Sequence, residues 1–152
     1  MQSKSWRGIV WGGLIGGTMD LTAALVLTAM RGRSPVQVLY SISSGLLGQP
    51  ALDGGTAMAV LGVLLHFVIA FIWATIYWAA SRKLFVLIDH AVVCGALYGV
   101  FVYLMMNFVV LPLSAFPLKI AYTPAVLTRG ILVLVFCIGL PIALSVRRAS
   151  RT

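Results

Sequence analysis

The feature that most constrains this chain is the apolar run from Gly8 to Met30, which is long enough to cross a bilayer and carries one carboxylate, Asp20. At about 1.5 Å per residue, a helix of this length spans a hydrocarbon core of about 30 Å. Small residues fall on one helical face together with Asp20, namely Gly13, Gly16, Gly17 and Ala24. Because such a face lets a neighbouring backbone approach closely, we expect Asp20 to point into protein and not into lipid.

Three more apolar runs qualify as membrane spans, at residues 57–80, 91–111 and 125–146. Together with residues 8–30 they predict an all-α fold, a single domain over residues 1–152 with four transmembrane helices. Thr123 followed by Pro124 is typical of a helix start, because the hydroxyl caps the first turn and proline suits the first helical position. Charged residues make up 9% of the chain, against roughly 25% in soluble domains, which places it in the membrane class.

The distribution of lysine and arginine predicts the orientation, since four spans put both termini on one side. That side holds seven basic residues: Lys4, Arg7, Arg82, Lys83, Arg147, Arg148 and Arg151. The other side holds four: Arg31, Arg33, Lys119 and Arg129. The richer side is expected to be cytoplasmic, which predicts a bacterial inner-membrane protein with both termini inside. The net charge of +8 is interpreted as attraction to membrane lipids and not to nucleic acid, because the basic residues lie between apolar runs.

The first outer connection contains a segment with helical periodicity. Its apolar residues recur every three or four positions, at Pro35, Leu39, Ile42 and Leu46. This pattern predicts a short amphipathic helix over residues 34–47, either lying on the membrane surface or dipping into it. Ser34 followed by Pro35 predicts that the helix begins with a hydroxyl cap.

Three polar side chains in different spans fall at similar estimated depths. Counted from the ends of their spans, Asp20, His66 and Tyr103 all come close to the middle of the bilayer. We therefore expect them to form an intramembrane polar site. A carboxylate at this depth is costly unless it is paired, neutral or facing water, and a pair with imidazole would hold or pass a proton. The alternative is that Asp20 is protonated or hydrogen-bonded and only fixes helix packing.

A second polar site is predicted nearer the outer surface. Arg129 and Asn107 both lie roughly 7 Å below that surface by residue count. Arg129 either extends to the lipid head groups, as arginines near helix ends do, or it pairs with Asp53 in the first outer connection or lines a vestibule that attracts anions.

The remaining residues offer no reaction chemistry. Two cysteines and two separated histidines do not form a metal or haem site, and the glycines lie inside spans and not in a phosphate-binding loop. The sequence therefore predicts no catalytic residue, no metal, no cofactor and no enzyme activity. Glycines at helical spacing predict close helix packing instead: Gly12, Gly13, Gly16, Gly17, Gly62, Gly95 and Gly99.

Two functions follow from these features. The first is a non-enzymatic helix-packing module, either a homo-oligomer or an accessory subunit of a larger membrane complex. The alternative is a small proton-coupled transport or permeation protein that uses Asp20 and His66. An enzyme acting on lipids is a third and more distant option, because its polar groups would have to cluster near one interface.

Several stretches also carry a family resemblance, and they cover most of the chain: GGLIGGTMD, SPVQVLYSISSGLLG, LGVLLHF, GALYGVFVYLMMNFVVLPLS and GLPIALSVRR. They resemble a family of small bacterial four-helix inner-membrane proteins without an assigned activity. A looser likeness is to YagU-type proteins, which open with a glycine-rich first span followed by an SPV segment. That likeness implies an inner-membrane protein connected with envelope or acid stress, and it implies no catalytic residue.

Overall fold

The computed structural model describes residues 6–151, a range that is built from helices and contains no β-strand. Lys4, counted above among the basic residues, lies outside the described residues. Four of the described helices are long and apolar enough to cross a membrane: α1 (Trp6–Met30), α3 (Thr56–Ser81), α5 (Ala91–Leu113) and α6 (Pro124–Arg151). Two shorter helices, α2 (Val36–Leu47) and α4 (Val86–Asp89), lie in the connections before α3 and α5. The predicted fold class, all-α with four spans and a short helix between the first two of them, is confirmed.

The ends of the helices agree with the prediction at some places and differ at others. Thr123 caps α6 as expected, because its side-chain oxygen accepts a hydrogen bond from the Val126 N–H. Ser34 does not cap α2, which begins at Val36 without a side-chain cap. The third span is predicted over residues 91–111, and α5 continues through Pro112 to Leu113. Wider π turns interrupt the α-helical hydrogen bonding at Met106–Val110 in α5 and at Val135–Gly139 in α6.

Helix α1 lies between α3 and α6 and contacts both. Two separate rows of glycine make these contacts, and not the single face expected from the sequence. Gly8, Gly12 and Gly16 lie against α6, where Gly8 is close to Val146 and Gly12 to Ile142. Gly13 and Gly17 lie against the Phe71 and Phe67 rings of α3. The order of these contacts makes α1 antiparallel to both neighbours, so Trp6 and Arg151 are at the same end of the bundle.

Helix α5 packs against the other side of α6 at equally short range. Gly95 faces Ala143 and Gly139, and Gly99 faces the backbone at Leu134 and Val135. The carbonyl oxygen of Gly95 lies so close to Gly139 that any side chain there would overlap it. These contacts also run antiparallel, which completes an up-down-up-down arrangement of the four long helices.

Helix α2 covers the N-terminal part of α3. The Leu39 backbone lies against Gly62, and the Ser43 hydroxyl donates a hydrogen bond of 2.6 Å to the Met58 carbonyl oxygen. Gly54, in the turn that leads from α2 to α3, has a φ of +87°, and a methyl group there would lie 2.8 Å from the Tyr40 ring. The segment is therefore held on the bundle by specific contacts.

Aromatic side chains fill the space between α3 and α5 in the half of the bundle nearer Trp6 and Arg151. The Tyr98 hydroxyl of α5 donates a hydrogen bond of 2.7 Å to the Trp73 carbonyl oxygen of α3. Trp73, Tyr77 and Phe101 surround the Tyr98 ring, mostly edge to face. Since Trp73 and Tyr77 are buried together with Ile142 of α6, this half of the bundle is closed.

Candidate intramembrane binding site

A cavity of about 650 Å³ lies in the opposite half of the bundle, on the α2 side of the aromatic cluster. Parts of α1, α3, α5 and α6 line it, and α2 forms a further wall with Val38, Ile42 and Leu46. Trp73, Val102 and Ile138 lie at its inner end, where the closed half begins. Most of the lining is aliphatic or aromatic. The cavity is thus an apolar chamber that ends at the middle of the bundle.

Asp20 and His66 form the polar part of the inner wall. The Asp20 Oδ2 atom lies 4.0 Å from His66 Nε2, and the two side chains retain 19% and 13% of their solvent accessibility. His66 Nε2 is also 2.8 Å from the Gly17 carbonyl oxygen. Because a carbonyl oxygen only accepts, this geometry assigns the hydrogen to Nε2 and its donation to Gly17. Within residues 6–151, the Asp20 carboxylate receives no hydrogen bond, so its oxygens face His66 and the cavity.

The helical phase of α1 explains why Asp20 points into the cavity. Asp20 follows Gly16 by four residues and Gly17 by three, so its side chain projects between the row that meets α6 and the row that meets α3. Gly17 has a second role, because its lack of a side chain lets the segment around His66 come close enough to reach its carbonyl oxygen. The Phe67 ring lies edge to face with the imidazole, with 5.6 Å between the ring centres.

Tyr103 does not join Asp20 and His66, contrary to the prediction from depth. It packs against Gly130 of α6, where a methyl group would overlap its ring, and it is absent from the cavity lining. Its neighbours Val102 and Met106 line the cavity instead. The reason is rotation about the helix axis. Tyr103 lies at the level of the cavity, since Val102 and Met106 line it, but its side chain is turned toward α6.

The second predicted polar site is not assembled. Arg129 and Asp53 are both exposed, and between described side chains the only contact within 4.0 Å of a basic with an acidic group is that of His66 with Asp20. Asn107 belongs to the cavity wall, where its side-chain amide donates a 2.9 Å hydrogen bond to the Tyr103 carbonyl oxygen. The Tyr122 hydroxyl donates to the backbone oxygen of Asn107 at 3.0 Å, which ties the second outer connection to α5.

Sequence reasoning missed the part of α2 in this site. Ser41 and Gly45 line the cavity together with the apolar residues of α2. The apolar periodicity of this segment predicts an apolar face toward the bilayer, whereas in the structure residues of that face line the cavity. The described residues contain no group of three His, Cys, Asp or Glu side chains placed to hold a metal ion.

No protein-family model, curated protein or solved structure matches the chain. The resemblance to small bacterial inner-membrane proteins and to YagU-type proteins therefore stays a prediction. Functional interpretation depends on the cavity and on the chemistry of its polar wall. A single carboxylate beside an imidazole, at the inner end of an apolar chamber, offers a cation or a hydrogen-bond donor a place inside the membrane.

Proposed function

We propose that this protein is a non-enzymatic integral membrane protein that binds one small, mostly apolar molecule in the cavity between its helices. The carrying observation is the cavity of about 650 Å³ with Asp20 and His66 at its inner end. Sites for small molecules are typically apolar chambers of about 300–1,000 Å³ with a few convergent polar groups, and this chamber has both properties. Apolar walls supply most of the binding free energy, and the polar pair orients the ligand.

Photolabelling with adamantyl diazirine, a neutral apolar probe, tests this proposal on the full chain in lipid nanodiscs. We expect saturable labelling of cavity peptides from α2, α3 and α5, measured by mass spectrometry. Ala24→Trp, which fills the chamber from the α1 wall, is expected to abolish the saturable labelling. Ala29→Trp lies near the end of α1, does not line the cavity, and is the matched control. Labelling spread evenly over lipid-facing residues and unchanged by Ala24→Trp would refute the proposal.

A second candidate function is proton-coupled transport, which is supported by the short distance between Asp20 and His66. A carboxylate and an imidazole are the side chains that form proton relays inside membranes. Transport also requires the aromatic cluster around Tyr98 to open. The test is the flux of protons into liposomes driven by a solute gradient. A flux that is lost in Asp20→Asn would support this candidate, and a flux that survives the substitution would refute it.

The helix-packing module expected from the sequence stays a prediction. The number of small-residue faces favours such a module. In the structure, however, the glycines that form these faces contact other helices of the same chain. They therefore give no support for a homo-oligomer or for an accessory subunit. Native mass spectrometry of the protein extracted from its own membrane tests for both kinds of partner.

We also propose that the membrane is a bacterial inner membrane and that the end of the bundle with Trp6 and Arg151 faces the cytoplasm. The support is the excess of arginine and lysine at that end. Ser150→Cys and Ser34→Cys place exposed thiols at opposite ends. In intact cells a membrane-impermeant maleimide is expected to label the cysteine at position 34 and not the one at position 150. The reverse pattern would overturn the orientation.

A further inference from the structure

We infer that the molecule bound in the cavity is a monocation, an amine with an apolar body whose ammonium group contacts Asp20. This inference depends on the proposed function, because it names the chemical class of the ligand for the same site. It follows from two properties of the cavity wall. The wall has an acidic group without a lysine or arginine to balance it, and it directs no hydrogen-bond donor at that group.

The negative charge in the cavity is not balanced by a fixed positive charge. The chain has three acidic residues, and of these only Asp20 lies in a span, since Asp53 and Asp89 lie outside the four long helices. No lysine or arginine is among the described residues that line the cavity. His66 is the one basic side chain in the lining, and its Nε2 hydrogen is directed at Gly17. The wall therefore contains no lysine or arginine to balance Asp20.

The carboxylate also lacks hydrogen-bond donors. Ser41, Asn107 and Ser114 are the other polar side chains in the lining. The Ser41 hydroxyl donates to the Gln37 carbonyl oxygen, the Asn107 amide to Tyr103, and the Ser114 hydroxyl to Leu111. None of these hydrogen bonds, and none from the Trp73 indole, reaches Asp20, so a ligand is the group that can supply its donor. An ammonium group provides three N–H donors and the missing charge, and charge-assisted hydrogen bonds are stronger than neutral ones.

The rest of the chamber sets the body of the ligand. Beyond the polar pair, the wall near Asp20 consists of Leu21, Leu65 and Ile69, and α2 adds Ile42. Burial of apolar surface against such walls contributes about 25 cal/mol per Å², so a hydrocarbon body favours binding and a polar body loses hydration without replacement. An anionic ligand is disfavoured by repulsion from Asp20. A lipid acyl chain fits the walls but leaves the carboxylate without a partner.

Two probes of nearly equal shape separate charge from apolar fit: 1-adamantylamine, which is protonated at pH 7, and 1-adamantanol, which is neutral. Each competes with adamantyl diazirine for labelling of the cavity in nanodiscs that contain the full chain. We expect the amine to displace the label at a concentration at least 10-fold lower than the alcohol does. Asp20→Asn is expected to abolish this preference, whereas Asp89→Asn, at an exposed carboxylate outside the cavity, is expected to keep it.

The outcomes distinguish the ligand class from the proposed function. Equal displacement by amine and alcohol, or an amine preference that survives in Asp20→Asn, overturns the cationic class and leaves the binding function intact. Absence of saturable labelling in the unaltered chain overturns the binding function itself. If Asp20→Asn does not fold, Asp20→Glu is used instead; it keeps the charge and is expected to retain the preference for the amine. The comparison of the two probes on the unaltered chain then still decides whether the ligand is a cation.

Discussion

Gly99→Ala is expected to destabilise the protein by an amount that follows from the contact between α5 and α6. A methyl group at Gly99 would lie 2.5 Å from the Val135 Cα atom and 2.8 Å from the Leu134 carbonyl oxygen. Carbon atoms in contact are normally about 3.5–4.0 Å apart, so the two helices have to separate by about 1 Å. Both obstructing atoms belong to the backbone and have no rotamer by which to withdraw.

The magnitude combines two opposing contributions. Overpacking typically costs about 1–3 kcal/mol, and the upper value applies where backbone meets backbone. Alanine regains about 1 kcal/mol over glycine in a helix interior. The expected net loss for Gly99→Ala is thus about 2 kcal/mol. Gly45→Ala in α2 is the matched control, because the nearest atom to its methyl group is the Ser114 oxygen at 3.9 Å. The control is expected to be neutral or up to about 1 kcal/mol more stable.

The free energy of unfolding of both variants is measured by reversible unfolding in mixed micelles with increasing dodecyl sulfate. Helix content is followed by circular dichroism. The expected difference in the free energy of unfolding between Gly99→Ala and Gly45→Ala is about 2–3 kcal/mol, from the two contributions above. If both variants unfold at the same dodecyl sulfate concentration, the close approach of α5 to α6 is not a determinant of stability. The glycine contacts of α1 with α3 and α6 would then lose their support as determinants of stability as well.

Three smaller effects are expected from hydrogen bonds in the described residues. Tyr98→Phe removes the bond to the Trp73 carbonyl oxygen and is expected to cost about 1 kcal/mol in the same unfolding assay, and an unchanged midpoint would contradict this. Thr123→Ala removes the cap of α6 and is expected to cost about 1 kcal/mol, whereas Thr123→Ser should keep most of the stability. Ser43→Ala breaks the bond to Met58, and faster hydrogen–deuterium exchange is expected in α2 but not in α6; equal exchange in both helices before and after the substitution would argue against it.

The helices themselves were predictable from the sequence because they depend on length and hydropathy. An apolar run of about 20 residues has few stable alternatives in a membrane, since its backbone groups must bond within the segment. The start of α6 at Pro124 was equally local, because proline and the Thr123 hydroxyl act on the first turn alone. The π turns in α5 and α6 were not predictable. They change the backbone hydrogen bonding inside apolar runs, and the residue composition of those runs is the same on either side of the turn.

The polar site was predictable only in part. The depth of a residue follows from counting along its helix, and Asp20 and His66 do meet at a common depth. The direction of a side chain depends on which neighbour its helix packs against. Tyr103 shows the limit, since it follows Val102, which lines the cavity, by one position and is rotated by about 100° onto α6. Arg129 is likewise exposed and makes no ion pair with Asp53 within 4.0 Å.

By itself the sequence determined the class of protein, the number of spans, the glycine positions at which helices approach and the inward direction of Asp20. These properties follow from hydropathy, from chain length and from the period of the helix, each of which acts within one segment. Only the tertiary structure decided that α1 lies between α3 and α6, that α2 covers a cavity, and that the carboxylate faces that cavity without a donor. Such properties depend on packing between segments distant in the chain, which no single helix encodes.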